Sequence, residues 1–140
     1  MWGHYALDHT GICVEYDFTD SSWAPFPMQL YPIHYTNDIL DLKLCQSSKL
    51  NLYDIAILAS IAKYTGWEYE KEWRLFMWDT IITNKIPSPP ATAIYFGAKS
   101  KMDDLLIKQV SEFALTKKIN QYRMELASDK FELKPILLKV

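Results

Sequence analysis

Two short segments carry the side chains whose types and spacing could support chemistry. The first lies at the amino end, where His4 and Asp8 are four residues apart. On a helix these side chains can meet, and a carboxylate beside an imidazole fixes its tautomer and raises its basicity, as general acid–base catalysis requires. The same pair could instead form a solvated polar face, and the residues alone leave both interpretations open.

The second segment is the run Tyr-Glu-Lys-Glu-Trp-Arg at residues 69–74. On a strand, Glu70, Glu72 and Arg74 would project from one face. Two carboxylates beside one guanidinium could raise the pKa of one carboxylate while the arginine holds the other ionised, which suits a base or a ligand for a ribose hydroxyl. The alternative is a solvated charged face that lies opposite Trp73.

Other common sites find no support in the sequence. Nothing matches the phosphate-binding loop, the dinucleotide glycine fingerprint or the nucleophile elbow. The three histidines, His4, His9 and His34, do not fall into a metal-ligand spacing, so we predict no metal site. His34 is interpreted as a packed or edge histidine of an aromatic strand.

The elements that must position these side chains follow from hydrophobic periodicity, caps and turns. A capping box of Asn51 and Asp54 begins the most secure helix, and Gly66 is expected to end it. Residues 67–78 are also compatible with a helix, although their aromatic density favours a strand. Helices are predicted over residues 1–9 and 52–64, and a third helix begins at a capping box of Ser100 and Asp103. Strands are predicted over residues 12–16, 28–36, 67–78, 93–96, 122–126 and 131–137.

This string of elements predicts an α+β or mixed α/β domain, with about three helices and one sheet. The chain of 140 residues shows no linker or repeat, so we treat residues 1–140 as a single domain. Its hydrophobic fraction of 49% excludes intrinsic disorder, and a net charge of −2 provides no electrostatic footprint for nucleic acid or an anionic membrane.

Cysteine content and hydropathy suggest the compartment. Cys13 and Cys45 are too few for a disulfide framework, and reduced cytosolic thiols are the simplest interpretation. No signal peptide opens the chain, and no apolar run approaches the roughly 20 residues of a membrane helix. We therefore expect a cytoplasmic protein.

Four ordered motifs carry a resemblance to a known family. They are Met-Trp-Gly-His-Tyr-Ala at residues 1–6, the segment 9–17 around Gly-Ile-Cys-Val-Glu-Tyr, the segment 67–74, and Ile-Tyr-Phe-Gly at residues 94–97. In that order they resemble a large bacterial family that is catalogued only as a domain of unknown function. Some of its members resemble abortive-infection proteins, which implies a role in defence against phage.

The same resemblance concerns the extent of the chain. Members of the family usually carry a long segment ahead of the first motif, whereas here Met1 is the first residue of that motif. The resemblance therefore implies the carboxyl-terminal part of such a protein, truncated at its amino end. An open sheet edge or apolar patch would follow, so we expect a homodimer or pairing with the missing amino-terminal segment.

A second resemblance concerns mechanism. The order of a His-Tyr element, a Glu-bearing strand and an apolar strand is similar to ADP-ribosyltransferase-like folds, and implies an incomplete fold of that kind, with NAD as a possible substrate or cofactor. By this resemblance Glu70 or Glu72 would engage the nicotinamide ribose, His4 or Tyr5 would form part of the clamp, and Arg74 would suit a phosphate. The candidate catalytic residues are Glu72, Glu70, His4 and Tyr5, and the candidate substrate-binding residues are Arg74, Trp2, Tyr69 and Glu15.

Two functions remain open at the level of sequence. The first is a phage-defence effector that acts on NAD or a nucleotide through these residues. The second is a non-catalytic interaction or structural module, in which the motif residues form a buried polar network. In the second case Trp2, Tyr69 and Trp73 would belong to the core, and Arg74 would pair with a carboxylate for structure.

Overall fold

The computed structural model describes residues 2–19, 28–39, 41, 50–77 and 88–138. Cys45 and most of the loop predicted over residues 19–27 lie outside this range. The described elements are α1 (Trp2–Tyr5), β1 (Ile12–Tyr16), β2 (Met28–Pro32), β3 (His34–Thr36), α2 (Leu52–Ile61), β4 (Ala62–Tyr64), a 3-10 helix (Thr65–Glu70), β5 (Trp73–Met77), β6 (Ala91–Phe96), α3 (Leu105–Thr116), β7 (Asn120–Leu126) and β8 (Leu133–Leu137). The fold is therefore α+β, as predicted.

The described strands form three sheets, where the sequence predicted one. Contacts divide the chain into two compact units. The terminal unit comprises Met1–Trp23 and Pro87–Val140, and the middle unit comprises Ala24–Ile86. None of the helices in the described ranges combines the length and the apolar character that a membrane crossing needs.

The terminal unit is built on a four-stranded sheet in the order β1-β6-β7-β8. β6 pairs antiparallel with β1 and parallel with β7, and α3 makes the connection between β6 and β7. Alternate residues of β6 face this helix, so that Ile94 and Phe96 are buried against Ile107 and Ala114. This βαβ unit forms the core of the terminal unit.

The start of α3 differs from the prediction. Asp104 is its N-cap, and the Asp104 carboxylate accepts hydrogen bonds from the N–H groups of Leu106 (2.9 Å) and Ile107 (3.4 Å). Ser100 is buried and its hydroxyl donates to the carbonyl of Thr10 (2.8 Å). The predicted capping box of Ser100 and Asp103 is therefore wrong, because a tertiary partner satisfies the Ser100 side chain.

The helix predicted over residues 1–9 ends early. Leu7, Asp8 and His9 have φ values of 47°, 51° and 69°, which place three successive residues in the left-handed region. Gly11 closes this turn through a hydrogen bond from its N–H to the carbonyl of Ala6 (2.8 Å). Asp8 consequently lies outside the helix and loses the one-turn relation to His4 on which the predicted pair depends.

The middle unit contains two two-stranded sheets, an antiparallel pair of β2 and β5 and a parallel pair of β3 and β4. The strand predicted over residues 28–36 divides at Ile33, and its two parts join different sheets. Pro32 is the last residue of β2, as suits a residue without a backbone donor.

Helix α2 begins as predicted and ends early. The Asn51 side chain accepts from the N–H groups of Tyr53 (2.9 Å) and Asp54 (3.0 Å), while the Asp54 carboxylate accepts from the Asn51 N–H (3.1 Å). This confirms the capping box. The helix stops at Ile61, because the next three residues pair with β3, and Gly66 belongs to the 3-10 helix.

The single strand predicted over residues 67–78 is also incorrect in its first half. Residues up to Glu70 form the 3-10 helix, Lys71 reverses the chain with a left-handed φ of 49°, and the strand begins only at Trp73. Trp78 lies outside the described residues. Glu70, Glu72 and Arg74 thus do not share one strand face.

Candidate functional site

Three predicted site residues meet in the middle unit around Lys63, a residue that the sequence did not single out. The Lys63 ammonium donates to the Glu72 carboxylate (Nζ–Oε2 2.9 Å) and also to Glu70. The Arg74 guanidinium donates to the other Glu72 oxygen (Nε–Oε1 2.6 Å). We call Lys63, Glu70, Glu72 and Arg74 the ionic cluster.

Backbone contacts hold the ionic cluster in place. The Glu72 N–H donates to the Tyr35 hydroxyl (2.9 Å), and the Glu72 carbonyl accepts from the N–H of Ile33 (3.0 Å). Arg74 also donates to the carbonyl of Ser60, near the end of α2. The ionic cluster therefore ties α2, β4 and β5 to the β2–β3 segment.

The charges of the ionic cluster reinforce one another. The hydrogen bond from Arg74 lowers the pKa of Glu72 the most, and the hydrogen bond from Lys63 lowers it further. The hydrogen bonds that Lys63 donates to Glu70 and Glu72 raise the pKa of Lys63. Glu72 is thus the carboxylate that the arginine holds ionised, as the sequence suggested for one member of the pair. Lowered basicity makes Glu72 a poor proton acceptor at neutral pH.

Burial differs sharply between the members. The side chain of Glu70 is 6% exposed, those of Lys63 and Glu72 are partly buried, and that of Arg74 is the most accessible of the four. Sequence reasoning missed Lys63, although it is the only charged residue between Asp54 and Glu68. A lysine at the end of an apolar helix was the signal that could have found it.

Aromatic side chains next to the ionic cluster face solvent. Lys63 Nζ lies 5.3 Å from the ring centroid of Trp67, whose ring centroid is 6.1 Å from that of Tyr69. Tyr69 and Trp73 are 54% and 59% exposed. The expectation that they form core in a structural module is therefore wrong, while Trp2 is half-buried.

Glu15 belongs to a second group of hydrogen-bonded polar side chains, which lies on the sheet of the terminal unit. Its carboxylate accepts hydrogen bonds from the hydroxyl groups of Tyr95 (2.6 Å) and Thr92 (2.7 Å) on the neighbouring strand β6. These bonds lower the pKa of Glu15, and the bond to Glu15 raises the pKa of Tyr95 to about 12. Tyr95 stacks on Tyr122 with ring centroids 5.0 Å apart.

Cys13 lies on the same face of β1 as Glu15. Burial, and secondarily the Glu15 charge, raise the pKa of the Cys13 thiol, which therefore stays protonated and unreactive at neutral pH. Tyr95, which anchors the group, was visible in the sequence only as part of the motif at residues 94–97.

The remaining candidates lie on α1. His4 and Tyr5 are both exposed. The Asp8 carboxylate pairs with Lys99 (2.6 Å), and this hydrogen bond lowers the pKa of Asp8. The four catalytic candidates are divided between the units, with His4 and Tyr5 in the terminal unit and Glu70 and Glu72 in the middle unit. Their convergence on one site stays a prediction.

Within the described ranges, no three side chains of His, Cys, Asp or Glu lie close enough together to hold a metal ion.

The comparisons with known proteins identify a family without a known activity. The family model described as "Protein of unknown function (DUF2971)" matches residues 1–75. This range contains the first three motifs and the ionic cluster, whereas the motif at residues 94–97 lies beyond it. Neither a curated protein nor a solved structure matches the chain. Since the model matches more than half of the 140 residues, the chain belongs to the DUF2971 family of proteins of unknown function.

Proposed function

We propose that the ionic cluster is a structural polar network and that the chain acts as a non-catalytic interaction module. The observation that carries this proposal is the use of every polar group of Glu72. Its two carboxylate oxygens accept from Arg74 and Lys63, its N–H donates to Tyr35, and its carbonyl accepts from Ile33. A residue engaged in this way serves to position the segments it joins.

The size of the expected effect follows from burial. Exposed ion pairs contribute at most about 1 kcal/mol, whereas breaking a buried pair costs roughly 3–5 kcal/mol. Glu72 is partly buried and solvent screens its charges, so we expect a loss between these limits, about 1–3 kcal/mol. A loss of this size lowers the melting temperature by several degrees.

The test compares Glu72→Gln with Glu68→Gln. Glu68 lies four residues earlier in an exposed ion pair with Lys71 (3.5 Å), and its side chain is 60% exposed. Thermal melting followed by circular dichroism should show a clear loss for Glu72→Gln and a change within error for Glu68→Gln. Equal melting of both variants and the wild type would refute a structural role for the ionic cluster.

A second candidate function is a phage-defence effector that acts on NAD or a nucleotide. The exposed rings of Trp67 and Tyr69 favour it, because they lie beside the cationic Lys63. Aromatic faces stack on bases, and nearby cations neutralise phosphates. Under this alternative Glu72, Glu70, His4 and Tyr5 would be catalytic, and Arg74, Trp2, Tyr69 and Glu15 would bind substrate.

NAD consumption and ADP-ribose transfer distinguish the two candidates, measured at a temperature where wild type and Glu72→Gln are both folded. The structural proposal predicts the same rate for the two proteins. Turnover by the wild type that disappears in Glu72→Gln would establish the effector instead. Plaque counts on bacteria expressing either protein would then test the role in phage defence.

A further inference from the structure

A cavity of about 600 Å³ lies in the terminal unit, beside the carboxyl ends of β6 and β7. Its polar lining consists of Asp8, His9, Lys99, Arg123 and Glu125. None of the sequence-derived candidates for catalysis or substrate binding belongs to this set. None of its lining residues belongs to the ionic cluster or to the Glu15 group.

The topology of the sheet explains why a cavity forms there. β6 and β7 run parallel, and their last paired residues are Phe96 and Arg123. β6 stops at this point and the chain leaves towards α3, whereas β7 continues to Leu126. In sheets with parallel strands the crevice outside the carboxyl ends is the usual place for a ligand, because the loops diverge there.

His9 belongs to the lining of this cavity and carries an unsatisfied polar atom beneath the cavity surface. Its Nδ1 is shielded from solvent and has no hydrogen-bond partner among the described residues. A buried polar atom without a partner destabilises the fold, and so does each left-handed non-glycine residue, of which His9 is one. Such costs gather at sites that bind something.

The backbone around His9 is held tightly. The His9 carbonyl accepts from the Lys99 N–H (2.9 Å), and the Gly97 N–H donates to the Gly11 carbonyl (2.9 Å). A Cβ atom on Gly97 would lie 2.1 Å from the His9 carbonyl oxygen, so only glycine permits this approach. The position of His9 at the end of β6 is therefore built into the fold.

The charges lining the cavity select the ligand. Lys99 and Asp8 pair with each other at 2.6 Å. Arg123 has five N–H donors. It donates a hydrogen bond to the Ala98 carbonyl, and this bond is long at 3.4 Å. Arg123 is thus the cation that can receive an anion, while the exposed Glu125 disfavours a ligand with several negative charges.

From this geometry we propose that the cavity binds a small molecule through one oxyanion group, a carboxylate or a phosphate. The Arg123 guanidinium supplies the charge-assisted hydrogen bonds, and His9 forms part of the cavity wall. The proposal does not depend on the function of the ionic cluster, which lies in the other unit.

The test is a titration of the ¹⁵N-labelled chain of 140 residues with acetate and, separately, with inorganic phosphate at constant ionic strength. NMR should show saturable shifts of the His9 ring nitrogens and of the backbone amides of residues 98, 99 and 123–125. The titration that gives the lower Kd shows whether a carboxylate or a phosphate is the preferred group. Shifts that rise linearly and spread over the surface with both probes would overturn the proposal.

Variants locate the binding. Arg123→Gln should weaken binding of the preferred probe at least tenfold, and Arg123→Lys should bind with intermediate affinity. Lys134→Gln, which removes an exposed lysine paired with Asp129 (3.8 Å), is the matched control and should bind like the wild type. If Arg123→Gln does not fold, Arg123→Lys decides, because it keeps the charge and loses the planar set of donors. Unchanged affinity in a folded variant of Arg123 would also overturn the proposal.

Discussion

At the scale of single residues, three of the described carboxylates act as acceptors for fixed donors. Glu72 accepts from two cations, Glu15 from two hydroxyl groups and Asp8 from Lys99. In each case the contact lowers the pKa of the carboxyl group. The native state therefore binds protons less readily at these positions than the unfolded chain does, and stability depends on pH.

We predict that the stabilisation by Glu72 disappears in acid. Its folded-state pKa lies below its ordinary value of 4.5, so its contribution is complete above that value and is lost as the pH falls through the folded-state pKa. The difference in melting temperature between wild type and Glu72→Gln should thus be largest near pH 7 and shrink below pH ~4.5. A difference that stays constant down to pH ~3 would contradict the ion-pair explanation.

A second prediction concerns Tyr95. Glu15 raises the pKa of Tyr95 from its ordinary value of 10.0 to about 12, because loss of the hydroxyl proton breaks a bond to a carboxylate. Glu15→Gln removes the charge and should bring the Tyr95 pKa back towards its ordinary value. The measurement is the tyrosinate absorbance during an alkaline titration, compared with that of Tyr95→Phe to isolate this one residue. Identical titration curves for wild type and Glu15→Gln would rule out the bond.

At the scale of elements, the segments that depart from the prediction are those with distant partners. The amino-terminal turn is left-handed because the His9 carbonyl and the Ser100 hydroxyl join it to the loop after β6. Helix α2 stops at Ile61 because pairing with β3 satisfies the backbone of the following residues. In both places tertiary hydrogen bonds override a helical pattern.

The close approach at the end of β6 predicts a large difference between two glycines. Gly97→Ala places a methyl group 2.1 Å from the His9 carbonyl oxygen, so either β6 or the turn must move. We expect a loss of about 1–3 kcal/mol or more from overpacking. Gly3→Ala is the control, since no atom lies within 4 Å of its Cβ position and alanine favours the helix. Urea unfolding measures both, and equal stability of the two variants would show that the turn is not held at this distance.

At the scale of the whole molecule, the terminal unit leaves an edge of its sheet open within the described residues. β8 is the last strand of the order β1-β6-β7-β8, and it carries exposed apolar side chains at Ile136 and Leu137. Leu126 on β7 is also exposed. Pro135 has no backbone N–H and Lys134 is charged, so another strand can pair with this edge only beside them, at Ile136 and Leu137.

We propose that a second copy of the chain covers this edge. Multi-angle light scattering should report a dimer that dissociates on dilution, and Leu137→Lys, which puts a charge on the strand, should shift it to the monomer. Lys134→Gln on the same strand serves as control and should leave the dimer intact. A monomer at every concentration would exclude this form of association.

Features that depend on neighbours along the chain could be predicted from the amino-acid sequence. The capping box of Asn51 and Asp54, strand β1, the strand before Gly97 and the apolar face of α3 follow from caps and periodicity. The sequence also brought Glu70, Glu72 and Arg74 forward as a group, although for a strand face that does not exist.

The tertiary structure alone decided which partners these side chains meet. Lys63 reaches Glu70 and Glu72 only because α2 ends and β4 pairs with β3, and the cavity beside His9 exists only because β6 and β7 end at different heights. Local hydrogen bonds and apolar spacing are properties of a short window of sequence. The pairing of charges across separate elements depends on how the whole chain closes its long-range contacts, and no short window contains that information.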